Sequence, residues 1–216
     1  MALPSEKLIT INDRGARTAT TFGSLSQGGA NMVFIKKLTA SSSGTLSFVD
    51  GASSVVLDNS YKEYVFTFNN IHAQTDGAKF QFQGDTSSNT NYNQQITSTN
   101  FRAYHNEADG QTGLGYISGD DQANGTSFQS LSENNQGADA DQSLSGNLHI
   151  FNPSSSTFVK HFIAHTVTIK NSGGQVYAID AYVAGYFNLT TALTTFQFKM
   201  DTGDIDAGDI CLYGIL

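Results

Sequence analysis

The chain has 216 residues, 38% of them hydrophobic and 14% charged, and a formal net charge of −8 at neutral pH. Acidity without clustered Lys and Arg argues against a nucleic-acid partner, and no run of about 18 apolar residues is present to cross a bilayer as a helix. Cys211 is the only cysteine, so no intrachain disulfide is available, and a chain of this length buries a core without a metal or disulfide staple.

Met1 to Lys7 lacks the apolar stretch of a signal peptide, so synthesis in a cytoplasm without secretion is expected. Leu8-Ile9-Thr10-Ile11 is followed by Gly15 to Asn31, dominated by Gly, Ala, Ser and Thr, a composition too poor in apolar surface to hold itself folded. Two readings stay open for 1–31. It is a loose terminus, or it is an arm that docks on a partner through Leu8, Ile9, Ile11 and Phe22, with 8–11 adding a strand to a neighbouring sheet edge.

From Met32 onward the sequence alternates with the period of strands. Segments 32–38 and 45–49 are predicted strands around a turn at Ser41-Ser42-Ser43-Gly44. Segment 61–69 places Tyr64, Phe66 and Phe68 on one face. After the turn signal Asp76-Gly77, segment 79–83 directs Phe80 and Phe82 inward, and the two strands are expected to pair as a hairpin. Residues 84–142 are rich in Ser, Asn, Gln, Gly and Asp, with short strands predicted near 99–105, 113–118 and 126–132 between exposed loops. Such loops are common contact surfaces, and Tyr92, Tyr104, Tyr116 and Phe128 are the candidate outward contact residues; plain solvated loop is the alternative.

Strand character resumes at 144–151 and turns at Asn152-Pro153 into Phe158 to Lys170. In this long run Val159, His161, Ile163, His165, Val167 and Ile169 share one side, and Phe158, Lys160, Phe162, Ala164, Thr166 and Thr168 the other. Asn171-Ser172-Gly173-Gly174 supplies a tight reversal into 175–187, completing a long antiparallel hairpin. A strand at 193–200, a loop at 201–209 and a closing strand at 209–215 finish the chain. About ten strands without an amphipathic helix predict an all-β protein: an antiparallel two-sheet sandwich of jelly-roll type over 32–216, preceded by the 1–31 arm.

Side chains suited to chemistry are present but scattered. His161 and His165 are four residues apart, which on a strand is about 13 Å, too far to share a metal. His149 has no acid or thiol at ligand spacing, so the histidines read as structural or interfacial groups. Asp201, Asp204, Asp206 and Asp209 crowd one loop, but without the spacing of a calcium-binding helix–loop–helix, and they read as solvated turn carboxylates. Asp180 is expected to find Lys160 or Lys170 across the hairpin. No nucleophile elbow or dinucleotide fingerprint occurs. The expectation is a non-enzymatic protein with no cofactor and no bound metal.

Two segments carry a family likeness. Ser47-Phe-Val-Asp-Gly51 with Asp58-Asn-Ser-Tyr-Lys-Glu-Tyr-Val-Phe-Thr-Phe-Asn-Asn-Ile71, followed by Thr75-Asp-Gly-Ala78, and Phe196 to Leu212-Tyr-Gly-Ile215, resemble a recurrent module of virion proteins in tailed bacteriophages, including phages of marine bacteria and cyanobacteria. Asn152-Pro-Ser-Ser-Ser-Thr157 fits the module's central turn, and Cys211 departs from it, standing where a polar residue is usual. The resemblance implies a virion protein that assembles and attaches: a tail appendage such as a short tail fibre or host-attachment component, with a capsid decoration protein as the alternative. A free carbohydrate-binding module is a further alternative. Other virion proteins, further copies of the chain (a homotrimer favoured) and a host surface glycan or receptor are the expected partners.

Overall fold

The computed structural model describes residues 32–87, 90–133 and 136–216, so Leu8, Ile9, Ile11, Phe22 and the rest of the predicted arm lie outside the described residues. Among the described residues there are twelve strands and no helix: β1 (Met32–Ser43), β2 (Leu46–Val49), β3 (Glu63–Ala73), β4 (Phe80–Asp85), β5 (Ile96–Asn106), β6 (Thr112–Tyr116), β7 (Gln129–Ser130), β8 (Leu144–Phe151), β9 (Lys160–Ser172), β10 (Gln175–Phe187), β11 (Thr195–Met200) and β12 (Ile205–Ile215). They form two antiparallel sheets, one of eight strands in the order β1-β12-β3-β8-β9-β10-β5-β6 and one of four in the order β2-β11-β4-β7. The predicted all-β sandwich is the observed architecture.

The hairpin β9–β10 is the longest pairing, in unbroken register from Ser172–Gln175 to Lys160–Phe187. Its reversal uses Gly173 and Gly174, both at positive φ (61° and 74°), the backbone that matches the twist of two paired strands. The expected hairpin of 61–69 with 79–83 does not form. β3 lies in the large sheet and β4 in the small one. Both strands carry a row of phenylalanines; on opposite sheets the two rows oppose each other across the core, Phe68 and Phe80 meeting edge to face at 5.1 Å, and each row is buried by the other.

Aromatic rings fill the space between the sheets. Phe48, Phe66, Phe68, Phe80, Phe82, Phe162, Phe187, Phe196 and Phe198 are all at most 1% exposed. Most ring pairs meet edge to face, the arrangement their quadrupoles favour. At the margin of the large sheet, Gly208 at φ 117° lets β12 pass Asn70; a Cβ there would sit 2.6 Å from the Asn70 carbonyl oxygen. β1, an edge strand, has an irregular register between Phe34 and Lys36 and carries Lys36 and Lys37, features that discourage pairing of a foreign strand.

Three local differences follow from tertiary packing. The loop predicted at 201–209 is half strand, because Ile205 is fully buried and pairs with both Ser43 and Ala73. The strand predicted at 126–132 shrinks to Gln129–Ser130. The surrounding segment is not simply solvated: Gln129, Leu131 and Gln136 are fully buried over the inner side of the large sheet. Their amide nitrogens are satisfied there, with Gln129 Nε2 donating to the Asp120 carbonyl at 2.8 Å and Gln136 Nε2 to the Ile71 carbonyl at 2.8 Å, while Gln136 Oε1 has no partner among the described residues.

Candidate functional site

The alternation of β9 resolves in an unexpected direction. Thr166, Thr168 and Lys160 point inward and are buried, while Ile163 and Val167 point outward and are 51% and 44% exposed. Two of the inward polar groups find partners, Thr166 Oγ1 donating to the Leu131 carbonyl at 2.5 Å and Lys160 Nζ to the carbonyls of Phe158 and Leu189 at 3.1 and 3.3 Å, while the buried Thr168 Oγ1 has none among the described residues. Burial holds the Lys160 ammonium below its ordinary pKa. Asp180 takes neither lysine predicted for it; it points outward and pairs with His165, Oδ1 to Nε2, at 2.5 Å.

The outward sides of β9, β10, β5 and β6 form one continuous apolar field. Register places Ile163 beside Ala184, His165 beside Tyr182, Tyr182 beside Phe101, and Phe101 beside Tyr116. Three rings stack across the strands, His165 on Tyr182 at 4.2 Å and Tyr182 on Phe101 at 5.1 Å. Leu114, 77% exposed, extends the field to the sheet edge. Where Ala184 interrupts the larger side chains, a shallow apolar depression of about 540 Å³ opens between Thr97, Thr99, His161, Ile163 and Tyr186. In a chain of net charge −8, Asp180 is the one formally charged side chain on the outward rows of these four strands, and His165 accompanies it.

The four aromatic residues predicted as outward contacts are not brought together. Tyr104 and Tyr116 lie in strands rather than loops and on opposite faces of the large sheet. Tyr116 is on the outer field, its hydroxyl bonded to Asp121, which pushes the phenol pKa upward. Tyr104 is on the inner side. Tyr92 and Phe128 neighbour each other at 6.2 Å near the small sheet, with Tyr92 Oη bonded to Thr195 and Lys199 Nζ lying 4.5 Å above the Phe128 ring.

The histidines and the acidic loop are separate local structures. His149 pairs with Glu63 at 2.5 Å, His105 with Asp109 at 3.1 Å and His72 with Asp206 at 3.5 Å. Asp201 accepts the Lys79 amide, and Asp209 accepts Thr39 and Lys37, which hold its carboxyl below the usual range. Among the described residues no three His, Cys, Asp or Glu side chains converge as a metal would need. The His105–Asp109 pair stands on open loop surface, while the His149–Glu63 pair and His72 are part-buried.

A cluster of buried charge has no counterpart in the sequence reading. Glu133 is 7% exposed and pairs with two cations, Lys170 at 2.9 Å and Arg102, while Lys79 pairs with Asp120 at 2.5 Å. Arg102 comes from β5, Lys170 from β9 and Glu133 from the long connection after β7, so only the fold makes them neighbours. The one legible sign was a cation on the inward parity of β5 and β9. Glu133→Gln is expected to lower the unfolding free energy by about 2 kcal/mol, measured by urea denaturation. Breaking a fully buried pair costs about 3–5 kcal/mol, and here the cations keep partial access to water.

Comparison with protein-family models, with curated proteins and with solved structures finds no match to this chain.

Proposed function

We propose that the chain is a non-enzymatic structural protein on the surface of a tailed-phage virion, working as a closed homo-oligomer in a tail appendage of short-fibre or host-attachment type. The observation that carries this reading is the outward apolar field of the large sheet. A solitary soluble protein rarely leaves Ile, Val, Leu, Phe and Tyr contiguous across four strands; a protein that meets further copies of itself does. Charge favours a second copy as the occupant: surfaces of two chains of net charge −8 repel, and this field is the place where they can approach with little like charge between them. A trimer is the expected state. The module-like segments 47–71 and 196–215 support the virion setting, and 1–31 is proposed as the arm that joins the particle.

Two measurements test the reading. Deleting residues 2–30 is expected to leave a folded, soluble module that no longer enters particles; undiminished incorporation overturns the role of the arm. The copy number in purified particles decides placement: a few dozen or fewer for a tail appendage, hundreds for a capsid decoration protein.

A further inference from the structure

On the inner side of the large sheet, beside the β9–β10 reversal, a pocket of about 130 Å³ opens. Among the described residues its wall includes two formally charged side chains, Arg102 and Lys170, and no carboxylate. Both cations are only partly accessible, at 20% and 14% of the side chain. Glu133 engages both of them and is absent from the pocket wall, so it fixes the two cations without filling the space between them and the solvent. Two cations sharing one carboxylate leave one positive charge over, in an otherwise acidic protein.

The remaining lining is suited to a ring with hydroxyls. Tyr104 and Tyr177 meet edge to face at 6.0 Å, Arg102 lies 5.0 Å from the centre of the Tyr104 ring, and the Tyr177 hydroxyl donates to Gln111 Oε1 at 2.8 Å. Gln111 and Ser172 place further polar groups at the rim. Asn106 holds the adjoining β5–β6 turn rigid, accepting the amides of Gly110 and Gln111 at 2.9 and 2.7 Å.

We propose that this pocket binds a saccharide oxyanion: a carboxylate or sulfate group on a sugar, received by Arg102 and Lys170, with the sugar ring against Tyr104 and Tyr177. A guanidinium and an ammonium on one side give charge-assisted bonds to an oxyanion, and aromatic faces offer apolar surface to the C–H side of a pyranose. The single excess charge matches a monoanion rather than a phosphate dianion. Desolvation holds Lys170 below its ordinary pKa, with the Arg102 charge adding to the effect, and a seated anion counters the repulsion between the two cations. The proposal deepens the attachment reading, on which it rests for its biological setting, by naming the class of host polymer: an acidic or sulfated surface glycan.

The test is calorimetry and NMR titration of the full chain with methyl glucuronide, galactose 6-sulfate, methyl glucoside and inorganic sulfate. The two anionic sugars are expected to bind at least tenfold tighter than methyl glucoside and tighter than inorganic sulfate, and the stronger of the two names the oxyanion. Lys170→Met is expected to weaken that binding tenfold or more. Because Lys170→Met also removes a partner of Glu133, Gly113→Ala provides a second variant with no charge altered. A Cβ there would stand 2.6 Å from the Tyr104 ring, so it displaces the ring and should weaken the anionic sugar severalfold and inorganic sulfate less, which loses only what the shifted ring costs Arg102. Equal binding of the neutral sugar, equal binding of free sulfate, or no binding at all overturns the proposal. These results are independent of particle incorporation, so failure of the site and failure of the virion role are read separately.

Discussion

Phe198→Ala is expected to lower the unfolding free energy by about 3–5 kcal/mol, the range for emptying a packed aromatic site. Phe198 lies on β11 of the small sheet and is fully buried. Its ring neighbours Phe48, Phe66, Phe68, Phe80 and Phe82, which come from both sheets, at 5.0 to 6.3 Å. Removing it forfeits the transfer energy of one ring and opens a void that five rigid neighbours cannot close, since each is itself held by edge-to-face partners. Chemical denaturation of the isolated module measures the loss. Phe158→Ala is the comparison, because Phe158 is 68% exposed and should change stability by about 0.5 kcal/mol or less. A loss below about 1 kcal/mol for Phe198→Ala would mean that the two sheets are not clamped on this ring.

The second large effect concerns assembly rather than folding. Ile163→Glu combined with Val167→Glu places two carboxylates on the outward side of β9, in the middle of the apolar field. The expected result is a fall in solution mass from that of the proposed oligomer to the 23.1 kDa chain, with the unfolding midpoint of the module little changed. Both side chains are about half exposed in the single chain, so folding loses only part of their apolar burial, and a carboxylate at 167 opposite Asp180 adds a small like-charge cost. In a closed assembly the same carboxylates are desolvated and face their symmetry mates, at several kcal/mol per buried unpaired ion. About 4 kcal/mol is roughly a thousandfold in the association constant. Val49→Glu, on the exposed edge strand β2, is the control. Light-scattering mass after size exclusion checks both. An unchanged oligomer in the double variant would place the contact elsewhere, and equal dissociation by Val49→Glu would remove the special status of the field.

Much of the strand content was legible because it depends on local rules. Alternation marked β3, β4, β8, β9, β10 and β11, and the Ser-Gly-Gly reversal after Asn171 located the long hairpin, since few residues accept two successive positive φ angles. Sheet membership was not legible in the same way. The rows of Phe66 and Phe68 and of Phe80 and Phe82 look like neighbours in one hairpin, yet they face each other across the core, because two aromatic rows bury more surface by opposing than by lying side by side.

The candidate sites show the same division. Two rows of β9 were separable from the sequence, but the row richer in Ile and Val faces solvent, and the row with Thr166, Thr168 and Lys160 faces the interior. Which side of a strand is covered depends on what lies opposite, here Leu131 and the connection that also carries Glu133. Arg102, Glu133 and Lys170 lie far apart in the chain and carry no shared motif.

By itself the sequence determined the all-β character, the long hairpin, the apolar closing strand and the acidic, uncharged-polar surface, because period, turn chemistry and charge are properties of neighbouring residues. Only the tertiary structure decided that β3 and β4 part company, that the apolar side of β9 is left uncovered, and that two cations share one buried carboxylate beside an open pocket. Each of these depends on contacts between segments distant in sequence, where burial and ion pairing are settled by the partner across the gap rather than by the residue alone.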